Sequence, residues 1–430
     1  MGIFGFFLVA GVLAFAGILP GFSSKNDSEE TFLGKVVIWG TLPKLSMADL
    51  VGEFNQLNKT IVTISYVEKS KGTFDQELIE ALAEGKGPDV IFLPQDLILR
   101  HRNKLFPIPY TTIPERSFKD TYIEEGELYL GPLGVYGVPL IVDPLVMFWN
   151  RDIFSSALVS SPPVYWDEFF SLAKTITKID AAQNIKQSLV SFGEYDNVAN
   201  AKGILSMLIM QAGNPIIVEE KGVLRSSLTD VFNQNTPPTD EAFRFYTEFS
   251  NPTKTSYSWN RSLPYSRDMF AMGNLALYLG HASEYETLKK KNPHLNFDVT
   301  LVPQARDAGR KLTFGNMQSL AILKSSKNNS ASIAAIQILS GKETASSISS
   351  TLGLPPARRD LLAKKPPESH LSTFFNSAVI SKGWLDPSPS ETNEIFDGIV
   401  RDITSERRNI GVAVGNGNAL MTQLLKTFNK

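Results

Sequence analysis

Residues 136–154 read YGVPLIVDPLVMFWNRDIF, and this stretch carries the strongest structural signal in the chain. The run from 137 to 149 is apolar at every position except Asp143, which predicts one long extended segment. Pro144 removes a backbone donor and biases the residue before it towards extended geometry. A carboxylate among apolar neighbours is costly to desolvate unless something bonds it. We therefore expect Asp143 to have a hydrogen-bond partner from the protein, from water or from a ligand.

The flanking sequence alternates strand and helix patterns. Before the central stretch, strands are predicted at 35–39, 60–67 and 89–93 and helices at 44–57 and 73–84. After it, the patterns predict helices at 166–178, 203–210, 241–249 and 330–339 and strands at 275–279, 297–302 and 319–323. This alternation predicts an α/β protein with a mostly parallel sheet covered by helices on both faces. The glycine-rich segment 411–417 is predicted to be a turn between helices.

The composition excludes several classes of function. The chain has 430 residues, with 42 basic and 44 acidic side chains and a formal net charge of −2. That overall balance gives no electrostatic reason to expect a nucleic acid or an anionic membrane surface as a partner. The absence of cysteine excludes disulfides, thiol catalysis and cysteine zinc sites. The four histidines are too far apart for an HExxH or HxH pattern, so we predict no metal site and no cofactor.

The common catalytic motifs are missing as well. The chain contains no GxSxG nucleophile elbow and no phosphate-binding GxxxxGK loop. Acidic residues are numerous enough for a glycosidase pair, but nothing in the sequence singles a pair out. We predict no catalytic residue and expect a protein that is not an enzyme.

The amino-terminal residues predict the location of the protein. Residues 3–22 (IFGFFLVAGVLAFAGILPGF) carry no charge, and a helix of that length spans about 30 Å, the thickness of the hydrocarbon layer. The alternatives are a signal peptide with cleavage at Ala14-Phe15-Ala16 and a buried core helix. We expect residues 1–30 to form a membrane anchor or signal segment plus spacer, with the bulk of the chain extracellular or periplasmic.

Six segments together carry a family resemblance. In chain order they are GKVVIW at 34–39, GKGPDVIFLPQD at 85–96, YGVPLIVDPLVMFWNRDIF at 136–154, PPVYWDEFFSLAKTIT at 162–177, FAMGNLALYLG at 270–280 and SLAILKSSKNNSASIAAIQIL at 319–339. They resemble, in order, the extracellular solute-binding proteins of ABC importers, carbohydrate type, which include the maltose- and oligosaccharide-binding proteins of family 1. The resemblance extends over nearly the whole chain after residue 31.

The resemblance implies a two-lobed periplasmic-binding-protein-like fold of type II, with the ligand in a cleft between the lobes. The crossovers are expected near 140–144, 301–304 and 353–356. The first α/β lobe is then expected to comprise residues 31–141 with 304–352. The second is expected to comprise residues 146–300 with 357–430.

The resemblance also indicates ligand-binding candidates. It places Gly40, Thr41, Asp96, Asp143, His281 and Tyr285 at the cleft, and the sequence itself adds Glu194, Tyr195, Trp259 and Trp384 as candidates. A carboxylate accepts two charge-assisted hydrogen bonds from neighbouring hydroxyls, which is why Asp96 and Asp143 stand out. The structural alternatives are a helix cap for Asp96, a turn aspartate for Asp143 and a satisfied surface histidine for His281.

The tryptophans divide into two groups. Trp39, Trp149 and Trp166 lie in strand or helix patterns and are predicted to be core residues. Trp259 and Trp384 lie in polar, irregular stretches, where they either stack on a sugar or pack in the core. The chain departs from the family at Gly280, which is followed by His281 where a tryptophan is common. The run GEYDN at 193–197 offers Glu194 and Tyr195 instead.

The resemblance implies a monomeric receptor that captures a small solute, of the sugar or oligosaccharide class, and delivers it to ABC permease subunits in the membrane. A membrane-anchored sensor ectodomain is one alternative. An extracellular hydrolase or lyase that acts on carbohydrate is the other. Incubation with oligosaccharides separates the enzyme from the receptor, because only the enzyme forms products.

Overall fold

The structure is a computed structural model and describes residues 32–306 and 309–429. The apolar segment 3–22, which is predicted to form the anchor helix, lies outside the described residues. Within the described part of the chain, no helix combines the length and the apolar character needed to cross a membrane.

The elements alternate as the sequence predicts. The strands are β1 (Gly34–Gly40), β2 (Val62–Glu68), β3 (Val90–Pro94), β4 (Leu105–Phe106), β5 (Leu130–Gly131), β6 (Gly134–Val135), β7 (Val138–Asn150), β8 (Lys178–Ile179), β9 (Ile185–Val190), β10 (Ile217–Glu220), β11 (Val223–Ser226), β12 (Leu275–His281), β13 (Phe297–Thr300), β14 (Thr313–Leu323) and β15 (Ser381–Lys382). The α-helices are α1 (Lys44–Asn58), α2 (Phe74–Ala83), α3 (Ile98–His101), α4 (Glu115–Thr121), α5 (Arg151–Ser156), α6 (Glu168–Ile176), α7 (Ala201–Gln211), α8 (Pro238–Glu248), α9 (Ser266–Ala271), α10 (Glu284–Lys291), α11 (Asn329–Leu339), α12 (Lys342–Leu352), α13 (Arg359–Leu362), α14 (Ser369–Val379), α15 (Pro389–Thr404) and α16 (Ile410–Leu425).

Unit 1 contains the described residues up to Val142 together with Met317–Lys364. Its sheet has the order β2-β1-β3-β14, and β4 pairs with the end of β14. Strands β1, β2 and β3 are parallel, whereas β14 runs antiparallel to β3. Residues 90–93 of β3 are all buried, which is typical of a parallel strand covered on both faces. The parallel α/β arrangement predicted for this part of the chain is therefore confirmed.

Unit 2 contains Asp143–Asn316 and the chain from Lys365 onward. Strand β12 lies between β7 and β9, antiparallel to the first and parallel to the second. Strand β13 pairs with β7, and β15 pairs in parallel with the start of β14. All seven residues of β12 are buried, so this strand forms the middle of the unit's core.

The unit boundaries differ from the predicted lobe boundaries at two places. Residues 304–316 belong to unit 2, because Gln304 accepts a 2.9 Å hydrogen bond from the Leu312 amide and β14 begins beside β15. Residues 357–364 belong to unit 1, because the Ala357 amide donates to the Leu140 carbonyl at 3.0 Å. Backbone pairing of these short segments decides their unit, and the sequence pattern does not encode it.

The turn predicted at 411–417 is wrong, because α16 runs through it. The side chain of Asn409 caps the helix by accepting from the Val412 amide at 3.0 Å. A Cβ atom on Gly417 would lie 2.4 Å from Cδ1 of Ile399 in α15. The glycine therefore permits close contact between two helices, which a reading of glycine as a helix breaker misses.

Candidate ligand-binding site

The first part of the candidate site lies at the carboxyl ends of the parallel strands of unit 1. Ligands in open α/β sheets bind beyond these ends. Gly40 ends β1 and Asp96 follows β3, and the two strands are neighbours, so two predicted site residues share this edge. We call it the carboxyl edge of unit 1.

The loop after β1 is held close to the sheet. A Cβ atom on Gly40 would lie 2.8 Å from the Phe92 ring and 2.9 Å from the Tyr66 hydroxyl oxygen, so the position has no room for a side chain. The Tyr66 hydroxyl donates to the Leu42 carbonyl at 2.8 Å. Burial raises the pKa of Tyr66, which keeps its hydroxyl protonated as a donor. The backbone at Gly40 and Thr41 is therefore fixed in position at this edge.

Asp96 lies within a short 3-10 turn, Gln95–Leu97, whose N-cap residue is Pro94. The helix-cap alternative for Asp96 is thus not what the structure has. The fully buried hydroxyl of Tyr129 lies near it, 3.1 Å from the Leu93 carbonyl and 3.2 Å from the Met317 carbonyl. Burial raises the pKa of Tyr129, a hydrogen bond with Ser319 lowers it, and the charges of Glu125 and Asp96 raise it further.

Sequence reasoning missed Glu125, which is only 2% exposed. It belongs to a 3-10 turn, Glu124–Tyr129, within an acidic run that reads as an ordinary solvated segment. The available signal was Gly126, where a Cβ atom would lie 2.9 Å from Cγ of Pro139. The glycine allows the turn to press against β7, and the neighbouring glutamate is buried as a result.

In unit 2, Asp143 has partners within the protein. One carboxylate oxygen accepts from the Ser283 amide at 2.9 Å, and the other accepts from the Ser283 hydroxyl at 2.6 Å. Ser283 immediately precedes α10. Asp143 lies within β7 and not in a turn, and its two bonds hold the segment after β12 in place.

The side chain of His281 is also engaged inside unit 2. Its Nδ1 lies 2.9 Å from the Asp143 carbonyl oxygen, and its Nε2 lies 3.0 Å from the amide nitrogen of Asn316. An amide nitrogen can only donate, so Nε2 accepts and Nδ1 carries the proton. The imidazole is thereby satisfied at both nitrogens as a neutral ring, and it is 8% exposed.

A second missed residue, Glu284, organises the same segment. Its carboxylate accepts from the Tyr278 hydroxyl at 2.5 Å, the His281 amide at 2.9 Å and the Asn200 side chain at 2.7 Å. Arg267 approaches it at 3.6 Å. The charge of Glu284 contributes to the raised pKa of Tyr278, after burial itself. Residues 281–284 are thus fixed by internal bonds.

The aromatic side chains predicted to contact a ligand pack against other residues of unit 2. Trp259 is fully buried and donates to Asn197 at 3.0 Å, and Trp384 is 4% exposed and donates to Ser206 at 3.0 Å. The structure therefore places both in the core, the alternative to sugar stacking. Tyr285 stacks on His370 with ring centroids 4.1 Å apart. Trp259 and Trp384 therefore offer no open face for a ligand, and one face of Tyr285 is covered by His370.

The two candidates in the segment after β9, Glu194 and Tyr195, have different surroundings. Tyr195 is buried, and its hydroxyl donates to Asn393 at 2.8 Å. The carboxylate of Glu194 is partly buried, which raises its pKa, while Arg261 at 3.5 Å opposes that shift. Glu194 follows a strand parallel to β12, so it lies at the carboxyl end of the unit 2 sheet. Glu194 therefore has fewer bonds within the protein than Asp143 or Glu284 has.

In residues 32–306 and 309–429, no cluster of three or more histidine or acidic side chains could hold a metal ion. The arrangement instead offers hydrogen-bond acceptors at strand ends. Such groups bind and orient a polar solute, and their geometry supplies no nucleophile with an adjacent base.

The model of a family described as bacterial extracellular solute-binding protein matches residues 49–372. A binding protein of Brucella abortus strain 2308 is 20% identical over 315 residues, which cover 71% of this chain and 69% of the relative. A lipoprotein from Streptomyces antibioticus is 27% identical over 171 residues, which cover 39% of this chain and 37% of that protein.

Solved structures share the fold. A cyclo/maltodextrin-binding protein complexed with maltotetraose has a TM-score of 0.73 at 17% identity and covers 95% of this chain and 100% of its own. The cyclic α-maltosyl-1,6-maltose binding protein of Arthrobacter globiformis has a TM-score of 0.75 at 13% identity. The match covers 91% of this chain and 99% of that protein. The sugar-binding protein MalE of Xanthomonas citri has a TM-score of 0.73 at 18% identity. The match covers 91% of this chain and 98% of that protein.

The family model spans most of both units, and the fold agrees over nearly the whole chain. Members of this family bind solutes outside the cytoplasm, so the chain is a binding protein and not an enzyme. On these grounds the chain belongs to the family of bacterial extracellular solute-binding proteins.

Proposed function

We propose that the chain binds a sugar or oligosaccharide outside the cytoplasm and delivers it unchanged to an ABC-type permease. The observation that carries the proposal is the shared fold with three sugar-binding proteins over 91–95% of this chain. The carboxyl edge of unit 1 adds a chemical reason, because carboxylates bind hydroxyl groups by charge-assisted hydrogen bonds. A receptor of this kind performs no chemistry on its ligand.

Asp96 is the proposed acceptor for sugar hydroxyls in unit 1. It is only partly buried, so its carboxylate can reach solvent. The fixed backbone at Gly40 and Thr41 completes the binding edge in unit 1. In unit 2, Glu194 is the proposed acceptor, since Asp143, His281 and Glu284 are bonded within the protein.

The amino-terminal segment is proposed to hold the receptor at the membrane. Residues 3–22 are uncharged and long enough to span a bilayer, and cleavage as a signal peptide is the alternative. A tether keeps a monomeric receptor at high effective concentration near its permease. Membrane fractionation followed by protease digestion from outside distinguishes the two, because only an anchored chain sediments with the membranes.

A thermal-shift screen tests the proposed ligand class. Mono- and oligosaccharides are compared with amino acids and polyamines of similar size. A ligand present at 100 times its Kd adds about 2.7 kcal/mol of stability, which gives a clear rise in melting temperature. Stabilisation by one group of sugars, with the sugar recovered intact, is the expected result. Stabilisation only by non-sugar compounds, or cleavage of the sugar, would contradict the proposal.

A further inference from the structure

Unit 1 carries a group of lysines at the amino ends of its strands. Strands β1, β2 and β3 are parallel, and β14 is antiparallel to β3, so the starts of the first three and the end of β14 share one edge. The lysines in the segments at this edge are Lys35, Lys59, Lys86, Lys104, Lys324 and Lys327. We call this group the lysine edge.

Among the described residues of these segments the lysines outnumber the acidic side chains, whereas the preceding residues 23–32 contain Asp27, Glu29 and Glu30. Glu84 pairs with Lys86 at 3.0 Å. Asp89 is directed inward, because one oxygen accepts from the Val37 amide at 2.9 Å and the other from the Ser326 hydroxyl at 2.7 Å. All of the lysines except Lys104 are exposed, so their charges face solvent.

The chain enters unit 1 in the middle of the lysine edge. The Leu33 amide donates to the Ile61 carbonyl at 2.7 Å, and the side chain of Asn328 donates to the Leu33 carbonyl at 2.9 Å. Lys59 and Lys327 flank these two contacts in sequence. Ten residues separate Leu33 from the uncharged run 3–22, a distance of at most about 35 Å when fully extended.

Helix electrostatics explains only part of the lysine edge. Lys59 follows α1 and Lys86 follows α2, where positive charge stabilises a helix carboxyl terminus. Lys327 instead precedes the amino terminus of α11, where positive charge is unfavourable. Lys35 adjoins no helix terminus, and Lys324 donates to the Asn103 carbonyl at 2.9 Å within the 3-10 turn Arg102–Lys104. Helix electrostatics therefore leaves Lys35 and Lys327 unexplained, and a partner with negative charge would account for them.

We propose that the lysine edge of unit 1 binds the anionic headgroups of the membrane to which the amino-terminal segment attaches the chain. The inference rests on the anchor in the proposed function. Lysines near an anionic lipid surface are attracted to it within about one Debye length, roughly 10 Å at 0.1 M salt. The contact leaves the carboxyl edge, at the other ends of the same strands, open to solute.

The test uses the full chain in vesicles of phosphatidylcholine alone or with about one third phosphatidylglycerol. Because the chain has no cysteine, Ser325→Cys gives a single fluorescent label at the lysine edge, and Ser70→Cys gives a matched label beyond the end of β2. Headgroup-attached nitroxide quenches labels that contact the surface. We expect at least twofold stronger quenching of the Ser325→Cys label in the anionic vesicles, loss of that difference in 0.5 M salt, and no difference for Ser70→Cys.

Charge reversal identifies the contact. Lys59→Glu, Lys86→Glu, Lys324→Glu and Lys327→Glu combined should abolish the lipid-dependent quenching. The same number of reversals at exposed lysines of unit 2, at positions 174, 178, 254 and 290, should leave it intact. Equal quenching in both vesicles, or unchanged quenching after reversal of the lysine edge, would overturn the inference. Failure to sediment with either vesicle would overturn the anchor as well, whereas sugar-induced thermal stabilisation tests solute binding separately.

Discussion

At the carboxyl ends of its strands, unit 1 has the partly exposed Asp96 and the buried Glu125, whereas unit 2 has carboxylates that are bonded to its own side chains. Asp96 and Glu125 both act on Tyr129. In unit 2, Asp143 is bonded to Ser283, and Glu284 accepts from three neighbours. In unit 2 most of these acceptors fix the backbone, whereas in unit 1 the partly exposed Asp96 is the proposed acceptor for a solute.

The difference shows that a polar residue at a strand end has two uses. A carboxylate whose acceptor sites are filled by the protein positions a segment, and one that remains accessible can bind hydroxyl groups. The two uses give the same sequence pattern. Variants therefore separate them best, because a positioning residue changes the stability of the unliganded protein and a binding residue changes affinity.

The largest effect is expected for Trp259→Ala. Removing a fully buried tryptophan should lower the free energy of unfolding by about 3–5 kcal/mol. Chemical denaturation measures the loss, and Trp149→Ala, at a half-exposed position, should cost less. Wild-type stability combined with lost sugar binding would instead assign the Trp259 ring to the ligand and break the comparison.

Acid sensitivity is expected to come from His101 in unit 1. Its pKa is lowered to about 4, first by burial and then by the charges of Lys104 and Arg100, while Asp75 opposes the shift. An unfolded histidine titrates near 6.5, so the unfolded state takes up the proton first as the pH falls. Stability should therefore fall by about 2–3 kcal/mol between pH 7 and pH 4.5.

His101→Gln should remove that component of the pH dependence. Urea denaturation at several pH values gives the slope for both proteins. Parallel slopes for the variant and the wild type would contradict the assignment of this acid sensitivity to His101.

Gly40→Ala tests the packing at the carboxyl edge of unit 1. The added methyl group would meet the Phe92 and Tyr66 rings at 2.8–2.9 Å, and such overpacking costs about 1–3 kcal/mol. The displaced loop should also weaken sugar binding. Gly52→Ala in α1 is the matched control, since no atom lies within 4 Å of its Cβ, and it should be neutral or stabilising. Equal stability of the two variants would show that the edge tolerates the methyl group.

The smallest effect is expected in unit 2 for the bond between Asp143 and Ser283. Asp143→Ala and Ser283→Ala should each cost about 1 kcal/mol of unliganded stability, as the loss of a helix cap does. Because the two side chains share one interaction, the double variant should cost less than the sum. Strict additivity of the two losses would show that the contact contributes nothing.

The α/β fold was predictable because its strands are marked by apolar runs and its helices by periodic ones. Residues 89–93 and 137–149 carried most of that signal, and both form the strands expected of them. The helix at 410–425 was missed because the sequence does not distinguish a glycine that permits close contact between helices from a glycine that ends a helix.

The candidate site was less predictable, because hydrogen bonding between distant residues decides which polar groups remain accessible. The partners of Asp143 and Trp259 are Ser283 and Asn197, and no local pattern connects these pairs. Glu125 was missed because a short acidic run does not show which of its members is buried.

Calorimetric titration of the sugar identified by screening tests the central claim most directly, with the wild type compared with Asp96→Asn and Asp143→Asn. We expect one binding site in the wild type and an affinity about 10- to 100-fold lower in Asp96→Asn. That loss corresponds to the free energy of one hydrogen bond to a charged group. Asp143→Asn should keep nearly full affinity. Wild-type affinity in Asp96→Asn together with lost binding in Asp143→Asn would contradict the account.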